Sequence, residues 1–171
     1  AHLYGIPMTG LRFFTVYGPW GRPDMALFKF TRAMLAGETI DVYGNGQLVR
    51  DFTYIDDIVE GVLRVLDKPA TPDAHFDPLH PNPATSSAPY RIFNIGNSTP
   101  TVLLDYIAAL EAALGIKAKK RLLPRQPGDM QSTAADTRAL QAWVNFSPAT
   151  SIDEGVQRFV DWYREFFAAH P

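Results

Sequence analysis

The chain has 171 residues, enough for one domain with a real hydrophobic core, and its 46 % hydrophobic and 20 % charged residues are ordinary for a globular protein. A net charge of −2 argues against nucleic acid as partner, and the absence of cysteine excludes disulfides, thiolate nucleophiles and Cys-ligated zinc. No apolar run approaches membrane-spanning length and no basic-then-apolar leader opens the chain, so a membrane partner is not expected and a cytoplasmic location is.

Residues 1–7 read as the end of a helix closed by Gly5 and Pro7, and a chain that opens in mid-helix is expected to be a piece of something longer. Residues 11–17 (Leu-Arg-Phe-Phe-Thr-Val-Tyr) are rich in β-branched and aromatic side chains and predict a buried strand. Gly18-Pro19-Trp20-Gly21-Arg22-Pro23-Asp24 is a turn-rich loop. Asp24 is placed to cap a helix with Leu27, Phe30, Met34 and Leu35 at helical spacing and Gly37 as its stop.

Residues 40–57 hold the densest cluster of signals. Gly44-Asn45-Gly46 lies between two apolar runs and predicts a β-hairpin, because such turns need positive φ. Tyr43 precedes the turn. Arg50 follows it among apolar neighbours, where a charge is rarely kept without a partner. Two readings of Arg50 stand side by side: a pair with a nearby carboxylate, or a contact to an aromatic, anionic ligand such as a nucleotide. Asp56-Asp57 then signals the N-terminus of a helix with Ile58, Val59, Val62, Leu63 and Leu66 along one side.

Residues 68–89 lose periodicity, carry six prolines and predict a surface excursion rather than a domain linker. His75 and His80 lie in it without a third ligand at metal-like spacing, so solvent exposure is expected and no metal site. A second strand is expected over 91–97, then a helix over 102–114 with Leu103, Ile107, Leu110 and Leu114 in register and Gly115 as terminator. Lys117, Lys119, Lys120 and Arg121 read as a solvated strand edge. A turn over 123–129 follows, then a short helix from Asp136. Ser151-x-x-Glu154 is a capping box for a last helix with Val156, Phe159, Val160, Tyr163 and Phe167 inward.

Several chemistries have no motif here. No glycine-rich strand–turn–helix cradles a dinucleotide pyrophosphate, no tyrosine is followed four residues later by lysine, and nucleophile-elbow, zinc, P-loop and EF-hand patterns are absent. The carboxylate pairs Asp56-Asp57 and Asp153-Glu154 both stand at helix starts, where capping accounts for them. The residues alone describe an α/β domain with a candidate anion site and no visible catalytic set.

Leu11-Arg12-Phe13-Phe14-Thr15-Val16-Tyr17-Gly18-Pro19, Val42-Tyr43-Gly44-Asn45-Gly46 and Arg50-Asp51-Phe52-Thr53-Tyr54-Ile55-Asp56-Asp57 together resemble the extended short-chain dehydrogenase/reductase family of nucleotide-sugar enzymes. Phe93-Asn94-Ile95-Gly96-Asn97, Gln126-Pro127-Gly128-Asp129 and Ala135-Asp136 extend the match. Thr15 followed by Gly21-Arg22-Pro23-Asp24-Met25 is similar to the UDP-glucuronate epimerase branch.

The resemblance implies the nucleotide-sugar-binding C-terminal domain of such an enzyme over 1–171, with strands that normally join a Rossmann sheet and with the N-terminal NAD-binding half missing. In that family NAD oxidises the sugar at C4 and hydride returns to the other face. The cofactor and the catalytic tyrosine and lysine belong mainly to the missing half, so this chain alone is expected to be inactive. Position by position, the resemblance puts Tyr43 against uracil and Arg50 on the diphosphate. Gln126 and Asp129 fall at the nucleotide or sugar, Phe14 and Thr15 where nicotinamide meets sugar, and Arg22 on the hexuronate carboxylate. Many relatives carry arginine directly before Pro-Gly-Asp, where Gln126 stands here, with Arg125 one place earlier. A homo-oligomer is expected. The alternatives are a dehydratase or decarboxylase of the same family, or a non-catalytic nucleotide-sugar-binding module.

Overall fold

Strands and helices alternate along residues 1–169, the part that the computed structural model describes; the last two residues of the expected 1–171 domain lie outside the described residues. The strands are β1 (Met8–Phe13), β2 (Thr15–Tyr17), β3 (Thr39–Val42), β4 (Val49–Tyr54), β5 (Tyr90–Ile95), β6 (Pro100–Val102) and β7 (Lys119–Leu122). The helices are α1 (Ala26–Leu35), α2 (Ile55–Asp67), α3 (Leu103–Leu114), α4 (Arg138–Val144) and α5 (Ile152–Ala169). β1 pairs β5 in parallel, β4 lies between parallel β2 and antiparallel β6, and β3 pairs β7 in parallel. This is the mixed α/β architecture expected from the sequence.

The strand expected over 11–17 is two strands. It starts earlier, at Met8, and breaks at Phe14 because its halves have different partners: Phe13 is in register with Ile95, whereas Thr15 is in register with Phe52. Burial is also uneven. Tyr17 is in the core, while Met8 and Phe13 are about half exposed, since β1 touches a neighbour along one edge alone among the described residues.

The hairpin expected around Gly44-Asn45-Gly46 is not formed. The turn chemistry is there: these residues take φ of 62°, 50° and 76° in a 3-10 turn over Tyr43–Gly46. A Cβ on Gly46 would lie 2.4 Å from Leu104 Cγ, so both space and backbone demand glycine. But β3 leaves the turn to pair with β7 and β4 joins β2, so the flanking runs sit in different sheets. Local turn preference does not choose strand partners; burial of Ile40 and Val42 beside β7, and of Phe52 and Tyr54 beside β2, does.

Asp24 does not cap α1. Met25 holds the extended N-cap conformation and the Asp24 carboxylate turns to Arg22 instead. α2 begins as expected, with Asp56 and Asp57 in its first turn favouring the positive end of the helix dipole, and Asp57 accepts the Thr150 N–H at 3.0 Å. Its apolar residues do not share one covered face: Ile58 and Val65 are buried, but Val59, Val62, Leu63 and Leu66 are 37–71 % exposed. In α5 the Ser151 hydroxyl accepts the Glu154 N–H at 3.2 Å, while the Glu154 carboxylate reaches forward to Arg158, so half of the capping box forms. Val156, Phe159, Val160 and Tyr163 are buried as expected, and Phe167 is 42 % exposed.

The main core joins α1, α3 and α5 to β2 and β4, with Tyr17, Phe52 and Tyr106 at its centre; Phe52 and Tyr106 stack at 4.0 Å between ring centroids. A second cluster packs α2, β5 and α4 through Ile58, Val65, Phe93, Ile95, Leu140 and Val144. Residues 68–89 form the expected excursion, pinned by short side-chain-to-backbone bonds such as Asp73 to His75 N–H (3.0 Å) and Asp77 to Leu79 N–H (2.8 Å). His75 and His80 are exposed, as expected.

Asp51 ties these parts together. Fully buried, it accepts the backbone N–H groups of Asn97 (2.9 Å), Ser98 (3.1 Å) and Ala135 (2.9 Å). Gly96 lets those loops close on it: a Cβ there would lie 2.7 Å from Ala135 Cβ and 3.1 Å from Asp51 Oδ2. Asp51→Ala would leave a hole in the interior and the buried Ala135 N–H without its acceptor, while the Asn97 N–H keeps Thr53 Oγ1, and is expected to cost about 3–5 kcal/mol, read by urea denaturation. A loss below about 1 kcal/mol would show that the loops hold without the carboxylate.

A second buried carboxylate, Glu111, anchors β7 to α3 through Lys117 (2.8 Å), Lys120 and the Ala118 N–H (3.1 Å). Burial pushes its pKa up, but these hydrogen bonds outweigh burial and hold it at about 2, below its ordinary 4.5. A depressed folded-state pKa gives stability that is present above pH 4.5 and lost as pH falls toward 2. The stability gap between wild type and Glu111→Gln should therefore shrink through that window in acid titrations of unfolding. A gap that does not change with pH would contradict this origin.

Candidate functional site

Four of the expected site residues line two concavities that share Ala26: Thr15 and Arg22 the first, Tyr43 and Asp129 the second. The first is a cavity of about 40 Å³ where β2 runs into the loop before α1, lined by Thr15, Tyr17, Arg22, Met25, Phe28 and Tyr106, among others. Thr15 and Arg22 are thus brought together, as expected. The Gly21 N–H donates to Gly18 O (3.3 Å) and the Met25 N–H to Arg22 O (3.1 Å), which fixes the loop backbone under Arg22. The Arg22 guanidinium grips Asp24 at two points, Nε to Oδ1 at 3.0 Å and Nη2 to Oδ2 at 2.7 Å. Those bonds hold the Asp24 carboxyl below its usual range.

Tyr106 is a feature that sequence reasoning missed. It lines this first cavity, it is 1 % exposed, and its hydroxyl has no hydrogen-bond partner among the described residues. Burial pushes its pKa well up, so it stays protonated. Within Leu103–Leu114 nothing but its polar end among apolar neighbours marked it.

The second concavity is larger, about 510 Å³, within the range of small-molecule sites. Tyr43 and Asp129 line it, with Asp24, Lys29, Leu48 and Leu103 among their neighbours. The 3-10 turn that carries Tyr43 is docked by Asn45 N–H to Leu123 O (2.9 Å) and Leu123 N–H to Val42 O (3.0 Å). Beyond Leu123 the chain turns, with the Asp129 N–H donating to Gln126 O at 3.2 Å. Arg50, on β4, donates to Asp129 Oδ1 at 2.6 Å and to Val49 O at 2.8 Å, and Arg125 donates to Asp129 O at 2.8 Å. Arg50 therefore has its carboxylate partner, from 79 residues away, at a site that also faces a cavity.

Gln126 shares the turn with Asp129, but its side chain is exposed. Phe14 sits at the break between β1 and β2, half-buried, its carbonyl accepting the Val16 N–H at 3.1 Å. It is not among the residues lining either concavity. Among the described residues no cluster of histidines and carboxylates is placed to hold a metal. Two guanidinium groups, each paired with a carboxylate, and the Tyr43 ring thus lie at or beside the two concavities.

The family model described as NAD dependent epimerase/dehydratase matches residues 1–96. The chain belongs to this family. A 37.6 kDa protein of Escherichia coli O111:H- is 60 % identical over 167 residues, covering 98 % of this chain and 50 % of its own length. A protein of Rhizobium meliloti named probable UDP-glucuronate 4-epimerase is 47 % identical over 164 residues, covering 95 % of this chain and 48 % of its own. The crystal structure of UDP-glucuronic acid 4-epimerase from Bacillus cereus with UDP-glucuronic acid and NAD superposes with a TM-score of 0.78 at 30 % identity, over 96 % of this chain and 48 % of that one. The chain spans about half the length of the relatives it matches. No described helix is long and apolar enough to cross a membrane.

The Arg50–Asp129 pair is 19 % and 34 % exposed at its side chains, between a surface pair and a buried one. A double-mutant cycle of Arg50→Ala and Asp129→Ala should give a coupling of about 1 kcal/mol in unfolding free energy. A coupling indistinguishable from zero would mean that the pair does not hold the 123–129 turn.

Proposed function

We propose that this chain is the nucleotide-sugar-binding half of an NAD-dependent UDP-glucuronate 4-epimerase. The observation that carries the reading is the pairing of Thr15 and Arg22 at one cavity beside the opening shared by Tyr43 and Asp129. In it Tyr43 lies against the uracil and Arg50 meets the diphosphate. Gln126 and Asp129 add polar contacts, and Thr15 and Arg22 hold the hexuronate carboxylate. A guanidinium fork matches a carboxylate with paired hydrogen bonds, which a point charge does not reproduce. Gripping the carboxylate also fixes the direction of the C5–carboxyl bond, which disfavours loss of CO₂.

NAD supplies hydride removal and return when bound, but no glycine-rich strand–turn–helix unit among the described residues cradles its pyrophosphate. β4 passes directly into α2, whose first turn carries Asp56 and Asp57. α3 opens on Asp105 and α5 on Asp153 and Glu154, so these helix ends repel phosphate as well. In the proposed enzyme a further segment holds the cofactor, Phe14 meets the nicotinamide where it faces the sugar, and the 171-residue chain alone is inactive. The protein works in the cytoplasm as a homo-oligomer.

In the complete enzyme, Arg22→Ala should lower affinity for UDP-glucuronate about 10-fold or more while leaving UDP unchanged, and some decarboxylated product should form. Calorimetry with the two ligands and product analysis read this. Equal turnover of UDP-glucuronate by mutant and wild type, or a wild-type preference for UDP-glucose, would overturn the reading.

A further inference from the structure

The guanidinium proposed to grip the substrate's carboxylate already holds a carboxylate of the protein. The Arg22 fork is filled at both points by Asp24, at 3.0 Å and 2.7 Å. The Asp24 carboxylate has the same two-oxygen geometry as the one a hexuronate would present. It also lies where such a ligand would pass: Arg22 lines the small cavity with Thr15, and Asp24 lines the larger one with Tyr43 and Asp129. The pair therefore straddles the two openings.

The two arginine–carboxylate pairs of this region differ in kind. Arg50 and Asp129 are joined across 79 residues, are 19 % and 34 % exposed, and are braced by bonds to Val49 O and from Arg125. Parting them disturbs the 123–129 turn. Arg22 and Asp24 are two residues apart in one loop and 73 % and 59 % exposed at their side chains. Asp24 caps no helix and takes no part in the core. Besides Arg22, its carboxylate is drawn only by its own backbone N–H and by the charge of Lys29, neither of which ties it to another loop, so it can leave the fork by side-chain rotation with the backbone in place.

We infer that Asp24 is a resident competitor for Arg22, occupying the guanidinium fork in the free protein and giving way to the carboxylate of the substrate sugar. This rests on the reading of Arg22 proposed above and adds a specificity device to it. A neutral sugar offers nothing to replace Asp24, so it gains nothing from Arg22. A single-point anion exchanges a two-point partner for a one-point one. Only a planar carboxylate, held by the fork and by the Thr15 hydroxyl, does better than the residue already present. Asp24 is a positioning residue that touches no reacting atom.

The test compares Asp24→Asn with wild type in the complete enzyme, by calorimetry with UDP-glucuronate, UDP-glucose and UDP. An exposed ion pair competes weakly, so removing the Asp24 charge should tighten UDP-glucuronate about 2- to 5-fold and leave the other two ligands unchanged. Asp24→Ala should act in the same direction, which guards against a residual bond from the asparagine amide. The exposed loop position keeps the substitutions clear of the core, and the unchanged UDP affinity checks folding in the same experiment. Unchanged or weaker UDP-glucuronate binding in both variants, with Arg22→Ala still losing affinity for that ligand, overturns the competitor and leaves the carboxylate clamp standing. Loss of selectivity in none of the variants, Arg22→Ala included, removes the clamp itself and the inference with it. Equal tightening of all three ligands also overturns it, since general charge relief would then explain the gain.

Discussion

A single buried carboxylate holds the backbone of this domain in register. Asp51 stands on β4, the middle strand of the β2-β4-β6 sheet, and takes N–H groups from the end of β5 and from the segment before α4. Burying a charge is costly unless donors surround it, and here the donors are backbone amides that have no helix or sheet partner of their own. Each solves the other's problem. Thr53, also fully buried, shares the Asn97 N–H at 2.9 Å, and Ser98 extends the network to Thr137 at 2.6 Å. Because β4 carries Arg50 on its other face, one strand fixes both the loop scaffold and the guanidinium beside the larger opening.

Around that frame the candidate site is made by loops whose shapes are over-determined. Tyr43 is placed by a turn of successive positive-φ residues that also bonds to Leu123, so the aromatic ring and the 123–129 turn are set together. Arg50 then closes on Asp129 and Arg125 on its carbonyl. The loop from Gly18 to Asp24 is braced separately: Trp20, at φ 61°, packs its ring on Trp162 and Phe166 of α5 at 5.3 and 5.0 Å. The site's two openings thus rest on different supports and meet at Ala26 and across the Arg22–Asp24 pair.

What the sequence made legible follows from the range of the interactions. Helices α1, α3 and α5, the stops Gly37 and Gly115 of the first two, and the inward residues Phe30, Ile107 and Phe159 are legible because their signals lie within a few residues of one another. The split at Phe14 and the missing hairpin are not, since each depends on which distant strand lies alongside. Asp51 stands in a motif that does not disclose its role, because its donors come 46 or more residues later. Thr15 with Arg22, and Tyr43 with Asp129, came from resemblance, and the fold then placed each pair at a shared opening. Asp24 shows the limit of local reading: its position fits a cap, yet a stronger donor two residues back takes it.

The surface carries one more physical constraint. A helix with a wide apolar stripe is expected to be covered across the whole of its width. α2 is covered by β5 and α4 through Ile58 and Val65, while Val62 and Leu66 open onto a groove they share with Pro7, Thr9 and Leu11 of the β1 region. β1 beside it has an edge without a strand partner among the described residues. Unpaired edge groups and apolar side chains in one place are the two features that a parallel sheet with helices on both faces removes by extension. On the reading proposed above, the remaining half of the enzyme adds its sheet to β1 and covers Val62 and Leu66. The helix composition that looks excessive in isolation is then what an interior helix requires. Arg22 and Tyr43 line other concavities and not that groove.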